Sequence, residues 1–81
     1  MEVREQIRRY IAENLLFSDD DFPYDDDSSF LKNGVVDSTG VMELVAYVEK
    51  EFGLTVLPQE VVPDNFDSVS NLARYIQKKM G

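Results

Sequence analysis

The sequence predicts an all-α fold, a small four-helix bundle of three main helices and one short one. Three observations carry that reading. Apolar residues recur at helical spacing in three separate stretches. The segments between them are rich in Asp, Ser, Pro and Gly, which break any regular period. The chain is 81 residues long and has no cysteine, so it fits one domain (residues 1–81) whose core comes from packed side chains rather than disulfide staples. With 43% hydrophobic and 30% charged residues, the composition is that of a globular protein rather than a disordered one.

The first helix is expected over 2–16. Val3, Ile7, Tyr10, Ile11 and Leu15 fall on one stripe, with arginines and glutamates elsewhere. The balanced charge of the polar side makes the stripe core rather than a membrane-binding face. Residues 17–37 hold no helical period and read as a long loop. Phe17, Phe22, Tyr24, Phe30, Leu31, Val35 and Val36 are interspersed there, so parts of the loop should pack down on the helices. A loop this long in a compact domain usually serves a function.

The second helix is expected over 38–52. Val41, Leu44, Val45, Val48 and Phe52 lie within about 100° of arc at 3.6 residues per turn, and Gly53 stops the helix. A short helix is expected over Pro58–Val62, opened by Pro58 and ended by Pro63. The last should run over 68–79, with Asp67 as N-cap, Val69, Leu72, Ala73 and Ile76 as its apolar stripe, and Lys78 and Lys79 at its negative end.

The net charge is −8, and residues 19–66 hold twelve of the 16 acids against Lys32 and Lys50 alone. Such a field repels nucleic-acid phosphates and anionic lipid, so neither is expected as a partner. It attracts a basic surface on another protein, or simply keeps a small domain soluble. The absence of histidine and cysteine excludes imidazole or thiolate zinc sites, a cysteine nucleophile and a serine–histidine triad within the chain. No apolar run reaches the length of a membrane span, and no secretory signal opens the chain, so a soluble, cytoplasmic protein is expected.

Two chemical readings of the acids fail on detail. A calcium loop starting at Asp25 would place Asp27 and Ser29 correctly but puts Phe30 where glycine is needed and Val36 where glutamate is needed; no metal site is expected. Paired carboxylates for acid–base catalysis need a pocket that a bundle of this size has little volume to provide, so no catalytic residues are expected. The remaining candidate is Gly34-Val35-Val36-Asp37-Ser38-Thr39-Gly40, which closes the loop and opens the second helix. Taken alone, Asp37-Ser38 is an ordinary N-cap.

In its wider context the segment is similar to the acyl carrier protein family, including peptidyl and aminoacyl carriers. The resemblance rests on G-x-x-D-S at Gly34, Asp37 and Ser38, on V-E-K-E-F-G at residues 48–53 and on Asn65-Phe66-Asp67-Ser68-Val69, and it covers nearly the whole chain. It implies a four-helix bundle in which Ser38, beside Asp37, bears covalent 4′-phosphopantetheine drawn from coenzyme A. The implied function is a non-catalytic carrier that holds an acyl or aminoacyl group as a thioester and delivers it to partner enzymes.

The implied partners are a phosphopantetheinyl transferase, an adenylating ligase or acyltransferase, and acyl-processing enzymes with basic docking surfaces. Thr39, Met42, Glu43, Ala46, Tyr47 and Glu49 would meet them, with Met42 and Tyr47 equally readable as residues at the core margin. Family members usually have leucine after the serine, where this chain has Thr39, and fatty-acid carriers usually have glutamate where Lys50 stands. Those departures and the acidic loop point to a specialised pathway rather than housekeeping fatty-acid synthesis. Because the chain begins at the first helix and ends after the last, a discrete carrier is expected; it is also expected to be a monomer. The competing class is an acidic helical interaction adaptor with no prosthetic group, in which Ser38 is only a cap.

Overall fold

The computed structural model describes residues 3–16 and 24–81, with the backbone alone for Ser38. Among the described residues there are four α-helices, α1 (Val3–Asn14), α2 (Ser38–Phe52), α3 (Pro63–Phe66) and α4 (Val69–Met80), and one 3₁₀ turn at Pro58–Glu60. No strand occurs among the described residues. The expected bundle of three main helices and one short helix is what forms. α4 packs against each of the other three helices, because its stripe of Val69, Leu72, Ala73 and Ile76 is completely buried. Ile7 and Ile11 of α1 and Leu44 and Val48 of α2 meet it in the core. Each such side chain contributes about 1.5–3 kcal/mol on burial.

α1 ends two residues before the expected boundary, since the amides of Leu15 and Leu16 both reach the Ile11 carbonyl at 2.9 Å and close the last turn. α2 has the expected limits, and Gly53 ends it in the left-handed conformation at φ 65° with its N–H on the Glu49 carbonyl. That conformation strains any residue bearing a Cβ.

Two expectations are corrected around Pro63. The short helix foreseen over Pro58–Val62 is only the three-residue 3₁₀ turn, and the short α-helix starts at Pro63 instead of ending there. A proline lacks the N–H that a first helical residue has no use for, and it holds Val62 extended at ψ 158°. The N-cap of α4 is Ser68 rather than Asp67: the buried Ser68 hydroxyl accepts the Asn71 N–H at 3.0 Å.

Asp67 is engaged elsewhere. Its carboxylate accepts the Ser29 hydroxyl at 2.6 Å and the Leu31 N–H at 3.0 Å, and its carbonyl accepts the Phe30 N–H at 2.7 Å. A second tie lies at Asp26, whose two oxygens both accept from one Arg8 nitrogen at 2.8 Å and whose carbonyl accepts the Ser70 N–H at 2.9 Å. Between and beyond these ties Phe30, Val35 and Val36 are buried, as expected, whereas Leu31 is 55% exposed. Asp19–Asp21, Phe17 and Phe22 lie outside the described residues. No group of three or more acidic side chains among the described residues is placed to hold a metal ion, and none of their helices is long and apolar enough to cross a membrane.

Two outcomes follow for stability. Asp67→Ala leaves the Leu31 N–H and Ser29 hydroxyl without their charged acceptor and should cost about 1–3 kcal/mol in urea unfolding, with Asp67→Asn losing less; a loss below about 0.5 kcal/mol would deny Asp67 this role. Glu60 accepts the Leu57 N–H, the Tyr75 hydroxyl and the Lys79 ammonium, which together hold its carboxyl below its ordinary 4.5. The charged form is thus favoured by folding, so its contribution is complete above about pH 4.5 and disappears as pH falls through the lowered value. The Tm difference between the wild type and Glu60→Gln should therefore narrow from pH 6 to pH 3, and parallel curves would contradict the assignment.

Candidate functional site

The loop and α2 join at a point fixed from both sides. Gly34 adopts φ 67°, a conformation that glycine takes at no steric cost, and the next N–H, that of Val35, returns to the Phe30 carbonyl at 2.9 Å. Val35 and Val36 then anchor the chain in the core. Asp37 emerges extended and exposed, with φ −103° and ψ −171°. Its carboxylate accepts the Gly40 N–H at 2.8 Å and its carbonyl accepts the Val41 N–H at 2.9 Å. Ser38 is the first residue of the 15-residue helix α2. At that position the amides of Ser38 and Thr39 have no intrahelical acceptor and stand at the positive end of the helix dipole, where an anion is favoured.

Gly40 is what lets the loop close so tightly on the first turn. A Cβ there would come within 3.0 Å of Val36 Cγ1 and 3.4 Å of Asp37 Oδ1. Beside this junction lies a cavity of about 100 Å³ with almost wholly apolar walls, among them Phe30, Val36, Val41, Val62 and Phe66. It is smaller than the ~150 Å³ that holds a benzene ring.

The residues expected to meet partners separate into two groups. Thr39, Met42, Glu43 and Ala46 are exposed on α2, Met42 by 64%. Tyr47 and Glu49 are half-buried and have tasks within the fold. The Tyr47 ring stacks on Tyr10 with centroids 3.9 Å apart, and its hydroxyl donates to the Gln6 carbonyl at 3.3 Å. Burial first, then the charge of Glu51 and the neighbouring Tyr10, push its phenol up to about 12. Glu49 accepts the Val56 N–H at 2.9 Å and so ties down the segment after α2.

Sequence reasoning missed Gly40 and the tie at Asp67. The first could have been suspected from a glycine two residues into a helix, where it costs about 1 kcal/mol relative to alanine unless something needs the space. The second links residues 36 and 38 positions apart and leaves no local signal.

Residues 5–76 match the protein family described as phosphopantetheine attachment site. The match spans well over half of the chain, and the protein belongs to that family, the phosphopantetheine-binding carrier domains. It is therefore an attachment domain for covalently bound 4′-phosphopantetheine, in a family whose domains are generally non-catalytic. A comparison with curated protein sequences gave no match.

The helix start fits such a group: it offers unpaired backbone donors and a positive dipole end to a phosphodiester. Asp37→Ala should cost about 0.5–2 kcal/mol by removing the cap of α2. Gly40→Ala should gain less than the ~1 kcal/mol a helical glycine-to-alanine change otherwise gives, or lose stability, because Val36 has to move. Thermal unfolding of both variants checks this, and a full alanine gain at Gly40 would show that the contact with Val36 is slack.

Proposed function

We propose that Ser38 carries the phosphopantetheine arm and that the protein is a non-catalytic carrier of an acyl or aminoacyl group in a specialised pathway. The observation that carries this reading is the position of Ser38, first residue of α2, directly after the Asp37 cap and two buried valines. A hydroxyl-bearing residue at a helix start belongs to a junction that a modifying enzyme can approach, and the amides beside it favour the phosphodiester that would result. When bound, the arm supplies the thiol this chain lacks, on which cargo is held as a thioester.

The chain's own residues position and present. Asp37 holds the first turn through Gly40, and Gly40 lets Val36 lie against it. Thr39, Met42, Glu43 and Ala46 form the exposed face that partner enzymes would meet, with Tyr47 and Glu49 at its margin. A transferase, an adenylating ligase or acyltransferase, and acyl-processing enzymes with basic surfaces are the partners this face suits. Tethering the cargo raises its effective concentration at each of them. In this reading the protein works as a cytoplasmic monomer.

After incubation with coenzyme A and a broad-specificity phosphopantetheinyl transferase, intact-mass measurement should show the gain of one phosphopantetheinyl group. The gain should be absent in Ser38→Ala and retained in Thr39→Val. A modified Ser38→Ala protein, or a wild type unmodified by several such transferases, would overturn the assignment.

A further inference from the structure

α4 carries Arg74, Lys78 and Lys79 and no acidic residue, in a chain whose net charge is −8. Lys78 and Lys79 sit in its last turn, where the helix dipole favours a cation. Arg74 lies before that turn, so the dipole does not account for it. Arg74 and Lys78 are four residues apart and share a face, with about 6 Å of helix rise between them. That face borders a groove of about 490 Å³ between α4 and the segment holding Glu60 and Asn65, with Asn71 and Tyr75 also in its walls.

Among the described residues, Glu60 is the one carboxylate that lines the groove, and it is already engaged by the Leu57 N–H, the Tyr75 hydroxyl and the Lys79 ammonium. Arg74 and Lys78 are exposed and uncommitted by comparison. Lys78 makes no hydrogen bond or ion pair among the described residues. Arg74 gives one hydrogen bond, to Asn71 Oδ1 at 2.6 Å, and meets no carboxylate among them. The side-chain amides of Asn65 and Asn71 each place one N–H on a carbonyl, that of Glu60 and that of Pro63. Each amide is thereby oriented and keeps a second N–H for another acceptor. Charges farther away than ~8 Å are largely screened at physiological ionic strength, so the cations in the wall outweigh the acids of the loop. The groove thus offers two cations and two amide donors to a ligand that brings acceptors.

We propose that this groove is a docking surface for an extended acidic segment of a partner protein, whose carboxylates at alternate positions pair with Arg74 and Lys78 and whose backbone carbonyls accept from Asn65 and Asn71. Alternate residues of an extended chain point to one side about 6.7 Å apart, which matches the ~6 Å between the two cations along α4. An extended segment also has backbone carbonyls left over for the asparagine amides, whereas a helix has spent its own. Charge complementarity sets the sign of the partner, opposite to that suited by the exposed face of α2. A second copy of this chain is disfavoured as occupant, since each copy carries a net charge of −8. Burial first, then the bond and charge of Glu60 and last the charge of Glu49 push the Tyr75 phenol up to about 12. Glu49 stands about 16 Å along α2 from its first residue, so a segment at the Lys78 end of the groove leaves the start of α2 uncovered. The proposal goes beyond the carrier reading and does not rest on it.

The test uses the full unmodified chain and its Ser38→Ala variant, which should bind alike, so the result does not depend on where an arm is attached. The probe is an end-capped ten-residue peptide of glycine and serine with glutamates at positions 4 and 6, titrated at about 0.1 M ionic strength and followed by NMR. Chemical-shift changes should centre on Asn65, Asn71, Arg74 and Lys78. The double variant Arg74→Gln, Lys78→Gln should bind at least about tenfold more weakly. Lys78→Gln alone, which breaks no contact among the described residues, should lose at least about threefold and keeps the test on binding if the double variant is less stable. A peptide of the same composition with its glutamates at positions 2 and 9 should also bind at least about threefold more weakly. Arg9→Gln with Lys32→Gln, which removes as much positive charge from exposed positions outside the groove, should change affinity less than about twofold. Absence of binding, equal binding of the rearranged peptide or an unchanged Lys78→Gln would overturn the proposal. So would displacement of the peptide by an equal concentration of inorganic phosphate, which would make the groove a simple anion site. Dimerisation of the wild type that Lys78→Gln abolishes would assign the groove to a second copy and overturn it as well.

Discussion

The geometry of the helix start depends on how the second half of a long, aspartate-rich loop is held down. Asp67 supplies a carboxylate and a carbonyl to Ser29, Leu31 and Phe30, and Asp26 ties the same segment to α1 through Arg8 and to α4 through Ser70. Between them, a stretch that would otherwise lose conformational entropy with little in return is fixed by charge-assisted hydrogen bonds, which are the stronger kind. Val35 and Val36 then enter the core, and the chain has one direction left in which to begin α2. The position of Ser38 is a consequence of contacts between residues far apart in sequence.

An acid-rich chain of this size faces self-repulsion, and the structure handles it by dividing the carboxylates. One set accepts hydrogen bonds or ion pairs from the fold: Asp26 on arginine, Asp67 on the loop, Glu49 on the Val56 amide, Glu60 on Leu57, Tyr75 and Lys79, and the exposed Asp37 on the first turn of α2. Each replaces solvent by donors of the fold. The other set, including Glu43 and Glu51 on α2, faces water. These remain available to a basic surface, and because they project from a rigid helix their spacing is fixed before any partner arrives.

The bundle was legible in the sequence wherever a helix buries one stripe. The limits of α2 and the buried face of α4 follow from apolar spacing and from Gly53. Legibility failed where two residues compete for one task. Asp67 and Ser68 are both good caps, and nothing local says that Asp67 is taken by Ser29 and Leu31. Pro63 can end a helix or begin one, and only the extended backbone of Val62 settles which. At the site, the cap at Asp37 was readable from capping chemistry alone, whereas the role of Ser38 comes from the family resemblance and is our proposal. The embedding of Tyr47 and Glu49 was not, because the Tyr10 stack and the Val56 amide become neighbours only on folding.

A carrier function depends most directly on where the prosthetic group sits. Trypsin cutting after Lys32 and Lys50 releases residues 33–50, in which Ser38 and Thr39 are the only aliphatic hydroxyls. Fragment-ion mass spectrometry of that peptide from the modified protein should place the phosphopantetheinyl group on Ser38. A group found on Thr39, or on the peptides holding Ser28 and Ser29 or Ser68 and Ser70, would contradict it.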